Sequence, residues 1–473
     1  MSLSHSLSNA LSGLAATSRM AETVSSNLAN ALTEGYGRRE VLLSARSLGG
    51  QGGGVRVDGI ARIVDRGVLT DRRAAESVMT ASDLTAGALG RVERAIGAAG
   101  AEDGIAARLA ALQSALTSAA ANPSSDIALG TLRDRLTGLA GGINAAATAV
   151  QKERLAADGQ IAGDISTLNR SLKALEEMNL GIAHAVNTGQ DAAALMDQRQ
   201  GIVDTIARIV PVREIDRPAG QIALVTTGGE VLIDGPAREY GFAPVHGMTA
   251  DMTLASGALS GLTRDGQPVT GITLMDGGSL GAAFRLRDTV LPGQAAALDD
   301  LAADLIDRFT DLAIDPTLTA TAPGLFTDAG ARRDPTDTTG LASRLAVNAA
   351  IDPARGGALW RLRDGIGATA AGPVGNATQL DAWADALGAT ASGASFADRT
   401  ASLTASAGTA RLTAEESQAY ATGRYAALRD TELAGGVDSD AETALLLRIE
   451  QTYAANARVL TAIDDMIRTL MEI

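Results

Sequence analysis

The C-terminal stretch 435–473 constrains this chain most. Leu446, Ile449, Tyr453, Asn456, Leu460, Ile463, Ile467 and Leu470 follow one another at steps that alternate between three and four. That spacing is a coiled-coil seam, narrower than the apolar face of an ordinary globular helix. The opposite face carries Arg448, Glu450, Arg458, Asp465, Arg468 and Glu472. Ser439 and Glu442, three apart and just after Gly435-Gly436, read as a capping box that starts the helix. The six aliphatic seam residues, at about 2 kcal/mol each, represent on the order of 10 kcal/mol of burial. A lone helix cannot collect it, so the stretch needs a partner.

The first thirty residues supply one. Leu3, Leu7, Ala10, Leu14, Thr17, Ala21, Val24, Leu28 and Ala31 repeat at steps of four and three. The simplest arrangement pairs the two ends of the chain and leaves apolar surface for neighbouring copies. The plainer reading, an ordinary closing helix of a helical domain, fits the same pattern.

A chain of 473 residues is long enough for two to four domains. Apolar residues make up 46% of it but aromatics only 3%. Small aliphatics at that level favour long, closely packed helices. The net charge of -15 argues against general nucleic-acid binding and against an anionic membrane surface. With no cysteine there is no disulfide or zinc–thiolate site. No apolar run has the length of a membrane span. Residues 1–32 lack a basic leading region, and Ser and Asn interrupt each apolar block. The expectation is no cleavable signal peptide, so that any export uses a route that does not read one.

Along the chain, residues 1–34 read as a helix that stops at Gly35, a residue suited to a left-handed cap. Residues 38–75 are Gly-rich and polar, with 49–54 as a flexible tip and short strands around Val55, Val57, Ile60 and Ile63. Arg38, Arg39, Arg46, Arg56, Arg62, Arg66, Arg72 and Arg73 outnumber the acids here. They read as a solvated face, or else as a contact patch for a neighbouring subunit. Residues 74–120 and 126–208 read as helices, with a break at 97–104, a stop and cap at 122–126 and a weak point at 181–191. After Pro211 the period changes. Short β-branched runs at 212–215, 222–226, 231–233 and 269–274, separated by Gly, Pro and Asp, predict a small β insertion. A helix returns from Leu280 to about Leu312, 315–340 reads as loop, 341–390 as mixed, and 393–433 as helix again.

Catalytic patterns fail on inspection. Gly277-Gly278-Ser279-Leu280-Gly281 matches a nucleophile elbow, but its base would have to be a later histidine, and the last histidine is His246. A glycine turn into a helix explains it better. Asp438, Asp440 and Glu442 resemble the start of a calcium loop, but Thr443 stands where glycine is required. Gly365 and Gly367 lack the third glycine of a dinucleotide site. His5, His184 and His246 have no metal-ligand spacing. No enzyme activity, cofactor or metal is expected.

The stretch Ser26-Asn27-Leu28-Ala29-Asn30-Ala31-Leu32-Thr33-Glu34-Gly35-Tyr36 resembles the S-N-x-A-N-x-x-T-x-G-Y signature of bacterial flagellar axial proteins. Asn27, Asn30, Thr33, Gly35 and Tyr36 are its motif residues. Leu195-Met196-Asp197-Gln198-Arg199 is similar to a D-L-L-D-Q-R segment of the hook-associated protein 1 (FlgK) family. So are Gly277–Gly281 with Arg287-Asp288 and Leu291-Pro292, and the ending from Gly436-Val437-Asp438 through Ala457-Arg458-Val459-Leu460 to Asp464-Asp465-Met466. Gly435 replaces the family's serine, and Asn456 its usual alanine. The resemblance implies a mainly α fold with a β-rich insertion, an antiparallel helical rod formed by the N- and C-terminal halves. It divides the chain into terminal assembly helices 1–40 and 436–473, a rod of 41–210 and 341–435, and an outer part of 211–340.

The resemblance further implies a structural subunit at the hook–filament junction, exported unfolded into the extracellular flagellum, with terminal helices that order on assembly. A second junction protein or a flagellin-like subunit is the alternative. Implied partners are further copies in a ring, the hook subunit, the second junction protein and a cytoplasmic export chaperone on the C-terminal helix, with neither nucleic acid nor membrane. The seam residues Leu3, Leu7, Leu14, Val24, Leu28, Leu446, Ile449, Tyr453, Leu460, Ile463, Ile467 and Leu470 would carry the packing.

Overall fold

The computed structural model describes residues 3–33, 35–48, 51–269, 275–388 and 393–472. Helix α1 (Leu3–Ala29) leads into a hairpin of β1 (Arg38–Leu48) and β2 (Gln51–Ile63). Helices α2 (Arg66–Ile96), α3 (Ile105–Ala121), α4 (Asp126–Asn187) and α5 (Ala193–Ile209) follow. The mainly α architecture with a small β insertion is the one the sequence predicts.

Helix α4 sets the length of the rod. Its 62 residues extend about 93 Å at 1.5 Å per residue. Ser125 caps it by accepting the Ala128 N–H, one of the donors a helix start leaves unpaired. Leu129, Leu132, Leu136, Leu139, Ile143, Ala146 and Val150 recur at alternating steps of three and four and are all buried. This half of α4 joins α2, α3 and later segments in one core. The other half, with Ile161, Ile165, Leu168, Leu172 and Leu175, joins α5 and the β insertion in a second.

The insertion is an antiparallel meander of β3 (Val212–Asp216), β4 (Ile222–Thr226) and β5 (Val231–Ile233). Three two-residue strands follow, β6 (Tyr240–Gly241), β7 (Thr263–Arg264) and β8 (Gln267–Pro268). Of the strand expected at 269–274, residues 270–274 lie outside the described residues. The return helix consists of α6 (Gly278–Arg285), one π turn at 286–290 and α7 (Leu291–Arg308). The segment expected to be loop and mixed structure holds β9 (Phe326–Asp328), α8 (Leu341–Arg344), β10 (Leu345–Val347), α9 (Arg361–Asp364) and α10 (Thr378–Ala386). They close the first core around Trp383, whose indole N–H donates to the Leu362 carbonyl at 2.9 Å and whose ring stacks on Phe309.

Helix α11 (Phe396–Ala434) returns antiparallel to α2: Arg411 pairs with Glu93 and, at the other end, Glu432 with Arg72. Small residues at a seven-residue interval, Ala407, Ala414 and Ala421, are buried along it and let the helices approach closely. Helix α12 (Ser439–Met471) follows after a short turn.

A buried ion pair fixes the insertion to the rod. Arg287, on the π turn, meets Asp158 of α4 at 2.8 Å, and both side chains are wholly buried. Asp158 also accepts the Val245 N–H at 2.8 Å, and Arg287 donates to the Ser260 carbonyl. The guanidinium lies over the Phe284 ring at 5.0 Å. Burial pulls Arg287 toward a lower pKa, but Asp288 and Asp158 outweigh it and hold it above its ordinary value. Arg154 beside it donates only to oxygens of Arg287, Thr249, Met252 and Gln151, and burial leaves it below its ordinary value. Arg287→Ala would strand the Asp158 carboxylate and should cost on the order of 3–5 kcal/mol, measured as a lower urea midpoint for the whole chain.

Candidate functional site

The two ends of the chain pair. Asn27 meets Glu442 at 3.2 Å, and Gly13 faces Asn456, so α1 and α12 run antiparallel. On α1 the buried line is Ala10, Thr17 and Val24. On α12 it is Glu442, Ile449 and Ile463, seven or fourteen apart, with half-buried Asn456 between them. Val24, Ile449 and Ile463 are thus the predicted seam residues that this pairing encloses. Leu7, Leu14, Leu446 and Leu460 are half-buried. Leu28, Tyr453, Ile467 and Leu470 are exposed, Tyr453 by 48% and Leu470 by 63%. Leu3 opens α1, and its side chain lies outside the described residues.

The single seam read from the sequence therefore resolves into two lines. One helix can cover one edge of α12, and α1 covers 442–449–456–463. The adjacent line, 446–453–460–467, stays half-buried at Leu446 and Leu460 and exposed at Tyr453 and Ile467. Leu11, Leu447, Val459, Met466 and Met471 add exposed apolar surface on the same two helices, and Leu32 adds more in the exit turn.

The exit from α1 is built around Asn27, which is completely buried. Its amide nitrogen donates to the Arg39 carbonyl (2.9 Å) and to Glu442 (3.2 Å). Its oxygen accepts from the Arg39 N–H and the Tyr36 hydroxyl, both at 3.0 Å. One side chain thus ties together α1, the exit turn, β1 and α12. Asn30 donates to the Ser26 carbonyl and accepts from the Thr33 hydroxyl, which closes the last turn. Gly35 has φ +80°, where a side chain would be strained. Arg39 lies 4.9 Å from the centre of the Tyr36 ring.

Glu442 does a different job from the one its spacing suggested. The cap is Asp438, which accepts the N–H groups of Asp440 and Ala441. Glu442 is buried in the next turn and accepts from Asn27 and from Arg38 at 2.7 Å. Spacing alone does not reveal this, because its partners are 415 and 404 residues away.

The arginines that follow α1 are a correction as well. Arg39 and Arg62 both reach Asp197 of α5, at 3.0 and 2.6 Å, and Asp197 also accepts the Gly37 N–H at 3.0 Å. Arg62 continues to Gln200. Arg72 pairs with Glu76, Asp204 and Glu432, and Arg73 with Asp204 and Glu214. Burial alone would lower the pKa of Arg72, but the three carboxylates raise it above its ordinary value. A solvated face describes only Arg46, Arg56 and Arg66. The hairpin itself is longer than the predicted short strands, and residues 51–54 of the expected flexible tip are strand; Gly49 and Gly50 lie outside the described residues. Two strands need a covering element, and α1 provides it: Ser12 accepts the Val55 N–H at 3.2 Å.

Arg199, two residues beyond Asp197, faces the other way. It donates to the Gly220 carbonyl at 2.6 Å and to Asn179, which brackets Ile222 of β4. The Asp197-Gln198-Arg199 stretch thus anchors the terminal helices on one side and the β insertion on the other.

Ser279 is buried at the start of α6, where its hydroxyl meets Asp164. Gly278 has φ +58°, and a side chain there would strike the Ile209 carbonyl, so the glycine pair is a turn. Among the described residues no group of three or more His, Asp or Glu is placed to hold a metal ion. No described helix is long and apolar enough to cross a membrane.

Comparison with known proteins agrees with this geometry. The model of the flagellar hook-associated protein FlgK helical domain matches residues 89–313. Models of the flagella basal body rod protein and of the flagellar basal body rod FlgEFG protein C-terminal region match 7–36 and 434–473, the two paired ends. Flagellar hook-associated protein 1 from Salmonella typhimurium and from Salmonella typhi are each 24% identical over 315 residues, covering 65% of this chain. The chain spans 56% of the length of these relatives. The flagellar hook junction protein FlgK from Burkholderia pseudomallei is similar in structure with a TM-score of 0.46 and 19% identity, over 55% of this chain and 46% of that one. Paired ends matched by axial models, and a helical rod between them, define a structural protein of the bacterial flagellum. Within that class, the matches point to the FlgK family of hook-associated protein 1, whose members are structural proteins and not enzymes.

Asn27→Ala should loosen the start of α12 by about 2–3 kcal/mol, because it leaves buried polar partners unpaired. Hydrogen exchange of residues 439–450 in the intact chain would register it as lost protection.

Proposed function

We propose that this chain is a subunit of the junction between flagellar hook and filament, and that it assembles as a ring through its terminal helices. One observation carries the reading. The pair of α1 and α12 encloses Val24, Ile449 and Ile463 but leaves Leu28, Tyr453, Ile467 and Leu470 exposed. Exposed apolar surface contiguous along two helices marks an interaction surface. In this reading residues 1–40 and 436–473 are the assembly unit, and neighbouring copies cover the second line of α12. The hook subunit and the second junction protein are the axial neighbours above and below. The chain travels to the extracellular flagellum, and a cytoplasmic chaperone covers α12 before export.

Leu460→Asp tests this directly. The substitution puts a charge on the half-buried line and should leave the rod folded while abolishing incorporation into flagella. Incorporation at the wild-type level would overturn the reading. Limited proteolysis offers a second check. Among the described residues, none of α1, the hairpin or α12 belongs to the apolar clusters of the rod. In dilute solution cleavage should therefore remove both ends first and leave a core of roughly residues 40–435.

A further inference from the structure

We propose that Asn456 selects the partner of the C-terminal helix: it admits α1, in one register, and excludes a second copy of α12. Asn456 lies on the line of α12 that faces α1, between Ile449 and Ile463. Opposite it is Gly13. A side chain built at Gly13 would begin 2.8 Å from the Asn456 amide nitrogen and 3.2 Å from its carbonyl oxygen, so the amide occupies the space that the glycine leaves. Gly13 is the only glycine within α1. Sliding the helices by seven residues would set the amide against Ser6 or Met20 instead, which removes the vacancy.

Helix α12 contains no glycine at all. Two α12 helices packed on each other along this line offer the amide no glycine opposite, so neighbouring side chains would have to move aside to admit it. The hazard being excluded is concrete. Before it pairs with α1, α12 presents Ile449 and Ile463 in addition to its exposed Tyr453, Ile467 and Leu470. A polar residue on such a line gives up stability for a unique partner. Glu442 does not serve this end, since Asn27 and Arg38 satisfy it.

The inference rests on the junction reading for its cellular readout, and a second readout does not depend on it. The chain has no cysteine, so Thr452→Cys on the exposed side of α12 reports contact between two α12 helices as a disulfide-linked dimer of the full-length protein. Asn456→Leu should raise that dimer at least fivefold and lower incorporation into flagella at least tenfold. Gly13→Ala should lower incorporation at least threefold when Asn456 is present, and should not do so when Asn456→Ala accompanies it. A wild-type level of dimer with Asn456→Leu, or an equal loss from Gly13→Ala in both backgrounds, overturns the proposal. If instead the wild-type chain is absent from purified flagella while the dimer responds as stated, the junction reading fails and the pairing rule stands.

Discussion

Everything at the ends of this molecule depends on satisfying one buried amide. Asn27 has two hydrogens to donate and two lone pairs to fill, and all four are used within 3.2 Å. The partners come from the exit turn, the hairpin and the far end of the chain. A buried polar group with its full set of partners favours one arrangement strongly, because each alternative leaves a donor or acceptor unpaired. The hairpin can then lie along α1, Arg39 and Arg62 can reach Asp197, and Arg38 can reach Glu442.

The rod is held differently. Two apolar clusters share α4, and the insertion is pinned by the wholly buried pair of Arg287 and Asp158. Among the described residues no apolar cluster joins the ends to the rod; Arg39 and Arg62 of the hairpin meet Asp197 and Gln200 of α5 instead. Of the 40 cationic residues, only Lys152 and Lys173 are lysines. A guanidinium presents five donors in a fixed fork, so Arg62 can serve Asp197, Gln200 and the Gly35 carbonyl together, which a single ammonium cannot do in the same plane.

Local and periodic features were legible in the sequence. The long helices, the cap at Ser125, the glycine turn before α6 and the strands at 212–216, 222–226 and 231–233 follow from spacing and turn chemistry between near neighbours. What the sequence concealed is non-local. Glu442 has the right spacing for a cap, yet its partners lie at the other end of the chain. Arg39, Arg62, Arg72 and Arg73 look like part of a solvated run until Asp197 and Asp204, more than 120 residues away, are folded against them. The two lines of α12 were merged into one seam because a three–four pattern states that two edges are apolar, not which edge α1 will take. In the exit motif, the roles of Asn30 and Gly35 could be argued from a single turn, whereas that of Asn27 required four separate segments.

Helix α4 belongs to both cores without interruption from Asp126 to Asn187. Most helical rods are jointed by loops, which absorb twisting. Here a torque applied through the β insertion at Asn179 and Arg199 enters the same helix that Leu129 and Leu132 hold at the far end. One unbroken hydrogen-bonded helix thus joins the two cores directly, so neither can turn about its axis without carrying the other.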